Sequence, residues 1–177
     1  MDAWLDRLRR EIQNTTAELC QEDWNRAPRG RWNSAQILEH LARSYGTTAK
    51  MLELAMGVGG PPQVRQATAL ERLLRLLVVK MGILPSGAKS PAMVLPKGDC
   101  GPVALERALN NLERMKAAIL SAEQRWGSEG PIALHPLLGP LSATQWRKFH
   151  YVHGHHHLRQ VRMRSTAKGA ARSVVNP

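Results

Sequence analysis

The chain has 177 residues, 43% of them hydrophobic, and a formal net charge of +11 from 25 Lys and Arg against 14 Asp and Glu. This length suits one domain that buries about two-thirds of the surface of its unfolded chain. No apolar run is long enough to span a bilayer, and no charged-then-apolar start resembles a signal peptide, so we expect a cytoplasmic protein with no membrane partner. Cys20 and Cys100 lie far apart, which excludes a disulfide framework and a cysteine metal knuckle.

Much of the positive charge lies near the C-terminus. Residues 159–177 contain five basic residues and no acid. No helix-turn-helix, zinc-finger or RNA-recognition signature accompanies them, so we expect no sequence-specific nucleic-acid partner. From residue 165 on, the Gly, Ala, Ser and Pro content predicts a basic, flexible tail. The predicted division is therefore a single domain over 1–164 and a tail over 165–177.

The first two helices have clear start signals. Asp2 is a suitable N-cap for an amphipathic helix that we expect to end near residues 20–23. Asn33 and Gln36 form a capping box for a second helix that runs to Gly57. The spacing of apolar residues places His40 one turn inside this helix, on its core face. A core histidine can be a metal ligand, or it can be packed and hydrogen-bonded to a carbonyl group.

The middle of the chain alternates linkers and helices. A Gly/Pro linker is expected over 57–66, and a capping box over 68–71 then predicts a short helix that ends near residue 81. Residues 85–101 are expected to form a long irregular loop of the kind that lines a site or is disordered. Pro102 begins the next core helix, which runs to Trp126 with Gly127 as its stop. A second loop over 128–141 leads to the capping box of the last helix, at 142–145.

The last helix carries five of the chain's seven histidines. His153 and His157 are four residues apart, so both imidazoles project from one helix face and can bind a single ion. The run is internal and continues an amphipathic pattern, which argues against an expression tag. Without a third ligand, such a pair is usually solvated or merely packed. His40 is the candidate third ligand.

These elements predict an all-α fold. Four long helices and one shorter helix, with a long loop between the second and third core helices, describe a four-helix bundle. In such bundles, facing helices can build a metal site in the core.

Three segments resemble the DinB/YfiT-like metalloenzyme superfamily, and more closely its DUF1569 branch. They are Trp-Asn-Ser-Ala-Gln-Ile-Leu-Glu-His-Leu-Ala at 32–42, His-Pro-Leu-Leu-Gly-Pro-Leu-Ser at 135–142, and Trp146 followed by His-Gly-His-His-His-Leu-Arg-Gln at 153–160. Their order and spacing match over about residues 30–162, with the middle loop looser. The resemblance implies a four-helix bundle that holds a divalent ion on three histidines, here His40, His153 and His157. It also implies that some relatives transfer a low-molecular-weight thiol to an electrophile.

Two classes of function remain open at this point. In the first, the three histidines leave an open metal position, which is typical of catalytic sites. A thiol activated at this position gives a transferase, and a water activated there gives a hydrolase. In the second, the protein is a non-catalytic bundle that binds metal for stability or associates through its basic surface. We expect zinc or nickel as the ion, a small-molecule substrate such as a thiol, and a homodimer as the candidate oligomer. Catalytic residues other than the ligands are not identified.

Several other polar residues lie near the histidine motif or are expected to lie near the site. Gln160 and Glu39 are candidates to orient the ligands, although each also fits an ordinary polar position on a helix flank. His135 is expected to line the cleft or to shape the turn at 139–140, and His156 to pack between helices. The roles of His150 and His155 are open, since either imidazole can compete for metal or face solvent.

Overall fold

A computed structural model describes residues 2–58, 65–84 and 90–172, with side chains through Ser165. The helices are α1 (Ala3–Thr16), α2 (Gln21–Asn25), α3 (Ser34–Gly57), α4 (Ala69–Arg75), α5 (Gly101–Trp126) and α6 (Ala143–Arg172). A π-helical segment, Leu76–Lys80, continues α4, and a 3₁₀ turn covers Ala92–Val94. Strands β1 (Pro131–His135) and β2 (Gly139–Ser142) form one antiparallel hairpin. The protein is thus mostly helical, and no helix within the described ranges is long and apolar enough to cross a membrane.

The predicted helix starts are confirmed by their caps. The Asp2 carboxylate accepts a hydrogen bond from the Leu5 amide, at 3.2 Å. Reciprocal capping boxes join the N-cap residue to the third helical residue in three further places: Asn33 with Gln36, Thr68 with Glu71, and Ser142 with Gln145. The core helix α5 ends at Trp126, followed by Gly127 at φ 88°. These local signals therefore set where most of the long helices begin.

Two sequence expectations were wrong in part. The first helix ends at Thr16, and the chain forms α2 over Gln21–Asn25, because the Asp23 carboxylate accepts a hydrogen bond from the Cys20 amide and caps a separate helix. The segment 128–141 is not only a loop, since it contains the hairpin. Gly139, at φ 70°, supplies the left-handed residue that this tight turn needs.

Three expectations fall partly outside the described residues. The linker expected over 57–66 includes residues 59–64, and the loop expected over 85–101 includes 85–89; neither stretch is described. Helix α6 continues to Arg172, and residues 173–177 are not described. The flexibility expected for the C-terminal tail stays a prediction.

The long helices pack side by side around one apolar core. Helix α3 lies along α5, α1 lies along α6, and α6 contacts both α3 and α5. Gly154 is a point of close approach, because a Cβ there would lie 2.5 Å from Leu8 Cδ1 and 2.9 Å from the Tyr45 hydroxyl. The glycine inside the histidine run thus lets α6 sit against α1 and α3. This approach brings the histidines of α6 next to His40 on α3.

Candidate metal centre

The three predicted ligands lie together between α3 and α6. The Nε2 atoms of His40 and His153 are 3.1 Å apart. One ring nitrogen from each of His40, His153 and His157 falls within 4.8 Å of the other two. The α3 cap and the apolar stripe of α3 turn His40 inward, while the four-residue spacing on α6 places the other two on one face. These three side chains could hold a metal ion.

The geometry and the donor chemistry fit a divalent ion. Two nitrogens bound to one ion at about 2.0–2.1 Å lie roughly 3–3.4 Å apart, which matches the contact between His40 and His153. His40 Nδ1–H donates to the Val94 carbonyl oxygen at 2.9 Å, and His157 Nδ1–H donates to Gln160 Oε1 at 3.1 Å. Both rings therefore keep an Nε2 lone pair for the ion.

Outer groups hold these two rings in place. The Gln160 amide nitrogen donates to His156 Nε2 at 3.0 Å, so its oxygen stays turned toward His157. The Val94 carbonyl belongs to a loop that the buried Glu39 anchors. The Glu39 carboxylate accepts from the backbone amides of residues 97, 98 and 99 at 2.7, 2.9 and 3.1 Å. Gln160 thus touches a ligand directly, whereas Glu39 acts through the loop.

His153 has a different environment. Its Nδ1 is buried, and no hydrogen-bond partner for it occurs within the described part of the chain. The Phe149 ring stacks on the imidazole with centroids 5.6 Å apart and planes 6° from parallel. Apolar packing, rather than an acceptor group, therefore orients this ring.

Burial keeps all three imidazoles neutral. It lowers the pKa of His40, lowers the pKa of His153 well below the ordinary value, and lowers the pKa of His157 to about 3. The proximity of the three rings adds to this effect for His153 and His157. Neutral imidazole is the form that binds metal.

The other four histidines are not brought into the cluster. His135 Nδ1 accepts from the Leu137 and Leu138 amides at 3.1 and 3.2 Å, so it shapes the hairpin turn, and it also lines the cleft. His150 is buried with Nε2 3.1 Å from Thr48 Oγ1. His155 contacts Glu11 on α1 at 2.8 Å. His156 is half-buried, lines the cleft and supports Gln160, rather than only packing between helices.

A cleft of about 1530 Å³ reaches the three histidines. Its walls are largely apolar, with Trp32, Met51, Phe149 and Met163 among them. The described residues that line it include no Asp or Glu. A solvent-connected space of this size next to the ligands can hold a small organic molecule.

The sequence missed two contributors to this site. One is the Val94 carbonyl group, which no side-chain motif can reveal. The other is Arg164, which lines the cleft, although in the sequence it is only one of the basic residues near the C-terminus. Its spacing was the available signal, because Arg164 is seven residues beyond His157 and therefore on the same face of α6.

Comparison with known proteins gives one match. A family model described as "Protein of unknown function (DUF1569)" matches residues 5–164, which is most of the chain. No curated protein and no solved structure matches the chain.

Proposed function

We propose that this chain, which belongs to the DUF1569 family, is a metal-dependent enzyme that holds a divalent ion, zinc or nickel, on His40, His153 and His157. The observation that carries the proposal is the position of the three histidines at the wall of a wide cleft. Three protein ligands with an open side toward solvent are typical of catalytic sites, whereas structural zinc sites are closed by a fourth protein ligand.

We also propose that the chain is a four-helix bundle of the DinB/YfiT-like type. Support comes from the four long helices, α1, α3, α5 and α6, and from a ligand set divided between the second and the last of them. The short helix α4 lies between the second and third of these helices in the chain, which also fits this type of bundle.

The proposed reaction is transfer of a low-molecular-weight thiol to an electrophile. A bound divalent ion supplies Lewis-acid activation, which lowers the pKa of a thiol so that the thiolate forms at neutral pH. The thiol sulfur then forms a bond to the electrophilic carbon, the thiol proton passes to solvent, and the leaving group departs with its bonding electrons.

The composition of the cleft favours a thiol over water as the nucleophile. Hydrolysis by a metal site commonly uses a carboxylate as general base, and the described cleft residues include no Asp or Glu. A thiol has an ordinary pKa of about 8.5 and needs no such base once the ion is bound. Hydrolysis is therefore the less suited alternative.

The chain's own residues orient the ligands and keep water away. Gln160 and the Val94 carbonyl fix two rings with Nε2 toward the cluster. Phe149 covers the third ring with its aromatic face. The apolar walls reduce the water around the reacting atoms, and this strengthens the charge interactions there.

Metal analysis of untagged protein tests the proposal. Wild type should contain about one divalent ion per chain, and His157→Ala should lose it, since one of three protein ligands is gone. His155→Ala is the matched control, because His155 is on the same helix and contacts Glu11 instead of the cluster. Equal metal content in all three proteins would contradict the assignment.

Circular dichroism with and without a chelator separates catalysis from a structural role. An apolar core shared by four long helices should keep the metal-free protein folded. Cooperative loss of helix on chelation would show that the ion is structural. Thiol-transfer assays on the loaded protein, with several thiols and His157→Ala as the negative control, then test the reaction.

A further inference from the structure

The cleft wall contains a buried positive charge that the protein does not neutralise. Arg164 is 9% exposed, and its guanidinium donates to the carbonyl oxygen of Trp32, at 2.9 Å, and to that of Gln160. Carbonyl acceptors satisfy N–H groups but leave the unit charge in place. Every Asp and Glu of the sequence falls within the described residues, and none of them forms an ion pair with Arg164.

A second arginine strengthens the positive potential at this end. Arg31 is exposed, lines the same cleft, and forms no ion pair with any acidic residue of the chain. Burial, together with the charge of Arg31, lowers the pKa of Arg164. Two like charges at one wall cost free energy in the empty cleft, and an anion placed between them relieves that cost.

The position of the guanidinium limits the size of the ligand. Arg164 lies seven residues beyond His157, about 10 Å along the helix axis, but its guanidinium reaches back along α6 to the Gln160 carbonyl oxygen, about one turn beyond His157. Apolar side chains, among them Trp32, Met93 and Met163, line the cleft. The cleft therefore has a cationic end, apolar walls and a cluster of imidazole nitrogens about one helical turn along α6 from the cationic group.

We propose that the cleft binds a small amphipathic organic anion, whose carboxylate or phosphate group pairs with Arg164 and Arg31 while its apolar body lies along the wall toward the three histidines. The planar guanidinium of Arg164 presents donors in the geometry that such oxygen anions accept. This inference deepens the proposed function, because it assigns the substrate class of the same site.

Binding of four probes to the metal-free, full-length protein tests the anion end without the metal. The probes are octanoate, octyl phosphate, octan-1-ol and acetate, measured by isothermal titration calorimetry. A carboxylate can also bind a metal ion, so a chelator is present throughout. The variants are Arg164→Gln and Arg31→Gln, and Arg159→Gln is the control, since Arg159 is exposed on the same helix and does not line the cleft.

One of the two anionic octyl probes should bind at least about ten-fold more tightly than octan-1-ol, because hydrogen bonds to a charged group are the stronger kind. Acetate should bind more weakly than octanoate, since it lacks the apolar body. Arg164→Gln and Arg31→Gln should each remove most of the preference for the anion, and Arg159→Gln should keep it. The comparison of octanoate with octyl phosphate identifies the headgroup.

Equal binding of the anionic probes and the alcohol would overturn the proposal, and so would an unchanged preference in Arg31→Gln. Arg31 is exposed, so that variant stays informative even if Arg164→Gln does not fold. These outcomes are separate from failure of the proposed function, which appears as metal content that does not respond to His157→Ala.

Discussion

Two arginines on α6, one near its start and one beyond the histidine run, have opposite environments. The Arg147 side chain is 12% exposed and binds two carboxylates, Asp2 at 2.6 Å and Glu123 at 2.7 Å. Arg164 is similarly buried but binds only carbonyl oxygens. The first guanidinium ties the start of α6 to the cap of α1 and to the end of α5. The second points its charge at the cleft.

The difference separates a structural charge from a functional one. When a protein neutralises a buried charge with its own acids, the pair offsets the desolvation cost, and removal of one partner is destabilising. A buried charge that the protein leaves unneutralised next to a cleft has a cost in stability, and we expect a ligand to offset that cost. The N-terminal end of α6 is therefore expected to hold the fold together, and the half that carries the histidines and Arg164 to hold the site.

Replacing each arginine by methionine tests this contrast most directly. Arg147→Met leaves two partly buried carboxylates without their partner and should lower the free energy of unfolding by about 3 kcal/mol. Arg164→Met removes an unneutralised charge and should change the free energy of unfolding by less than about 1 kcal/mol. Urea denaturation of the metal-free proteins, with the midpoints compared at a constant slope, gives both values. Equal losses in the two variants would show that Arg164 is structural too.

The next largest effect is expected on metal affinity, from Gln160, which contacts the His157 ring from outside the cluster. Gln160→Leu removes the acceptor that His157 Nδ1–H uses, so metal affinity should fall about 10- to 100-fold. The stability of the metal-free protein should change little. Competition with a chromogenic chelator measures the affinity, and Arg159→Gln on the same helix is the control. Wild-type affinity in Gln160→Leu would show that Gln160 has no role in positioning the ligand.

A smaller effect is expected at Gly154, between the two ends of α6. Alanine has the higher helix propensity, by about 1 kcal/mol, yet a Cβ here would overlap Leu8 Cδ1. Overpacking costs about 1–3 kcal/mol, so Gly154→Ala should give a net loss of about 1 kcal/mol in thermal or urea unfolding. Gly57→Ala is the matched control, because nothing lies within 4 Å of the Cβ position at this helical glycine. Stabilisation in both variants would show that α6 does not need the close approach.

Much of the helical framework could be predicted because its signals are local. A cap and its partner are three residues apart, so Asn33 with Gln36 could be recognised without knowledge of the fold. The same holds for His153 and His157, which share a face because of their spacing alone. His40 needs one more step, since periodicity on a core face makes it a candidate third ligand and the resemblance then groups it with the other two.

The remainder depends on tertiary placement. Arg31 precedes α3 and Arg164 is near the end of the domain, and no sequence pattern shows that both line one cleft. The Val94 carbonyl reaches His40 from a loop whose backbone amides bind Glu39. The hairpin strands have five and four residues, too few for a convincing alternation, and their turn depends on the His135 ring as an acceptor.

The last prediction uses pH to separate a histidine at the cleft from the ion pairs of Arg147. Burial lowers the pKa of His135 to about 4, below its ordinary value of 6.5. A base whose pKa is lowered in the folded state contributes stability that is complete above pH 6.5 and is lost as pH falls toward 4. In the ion pair with α5, the Arg147 side chain holds the pKa of Glu123 below its ordinary value of 4.5. That contribution is complete above pH 4.5 and is lost only at more acidic pH.

The two windows can be measured with two variants in the presence of a chelator. His135→Asn should make the loss of unfolding free energy between pH 6.5 and 4 shallower, on the order of 1 kcal/mol, because one half-buried imidazole no longer resists protonation. The unfolding free energy of Arg147→Met should show the same pH dependence as that of wild type above pH 4.5. Below pH 4.5 it should fall less steeply than in wild type. If His135→Asn runs parallel to wild type throughout, the acid sensitivity belongs to the other buried histidines. Protonation of the buried histidines of α6 would then account for the loss of unfolding free energy. A bound ion should keep its histidine ligands unprotonated, so adding metal to wild type should move that loss to lower pH.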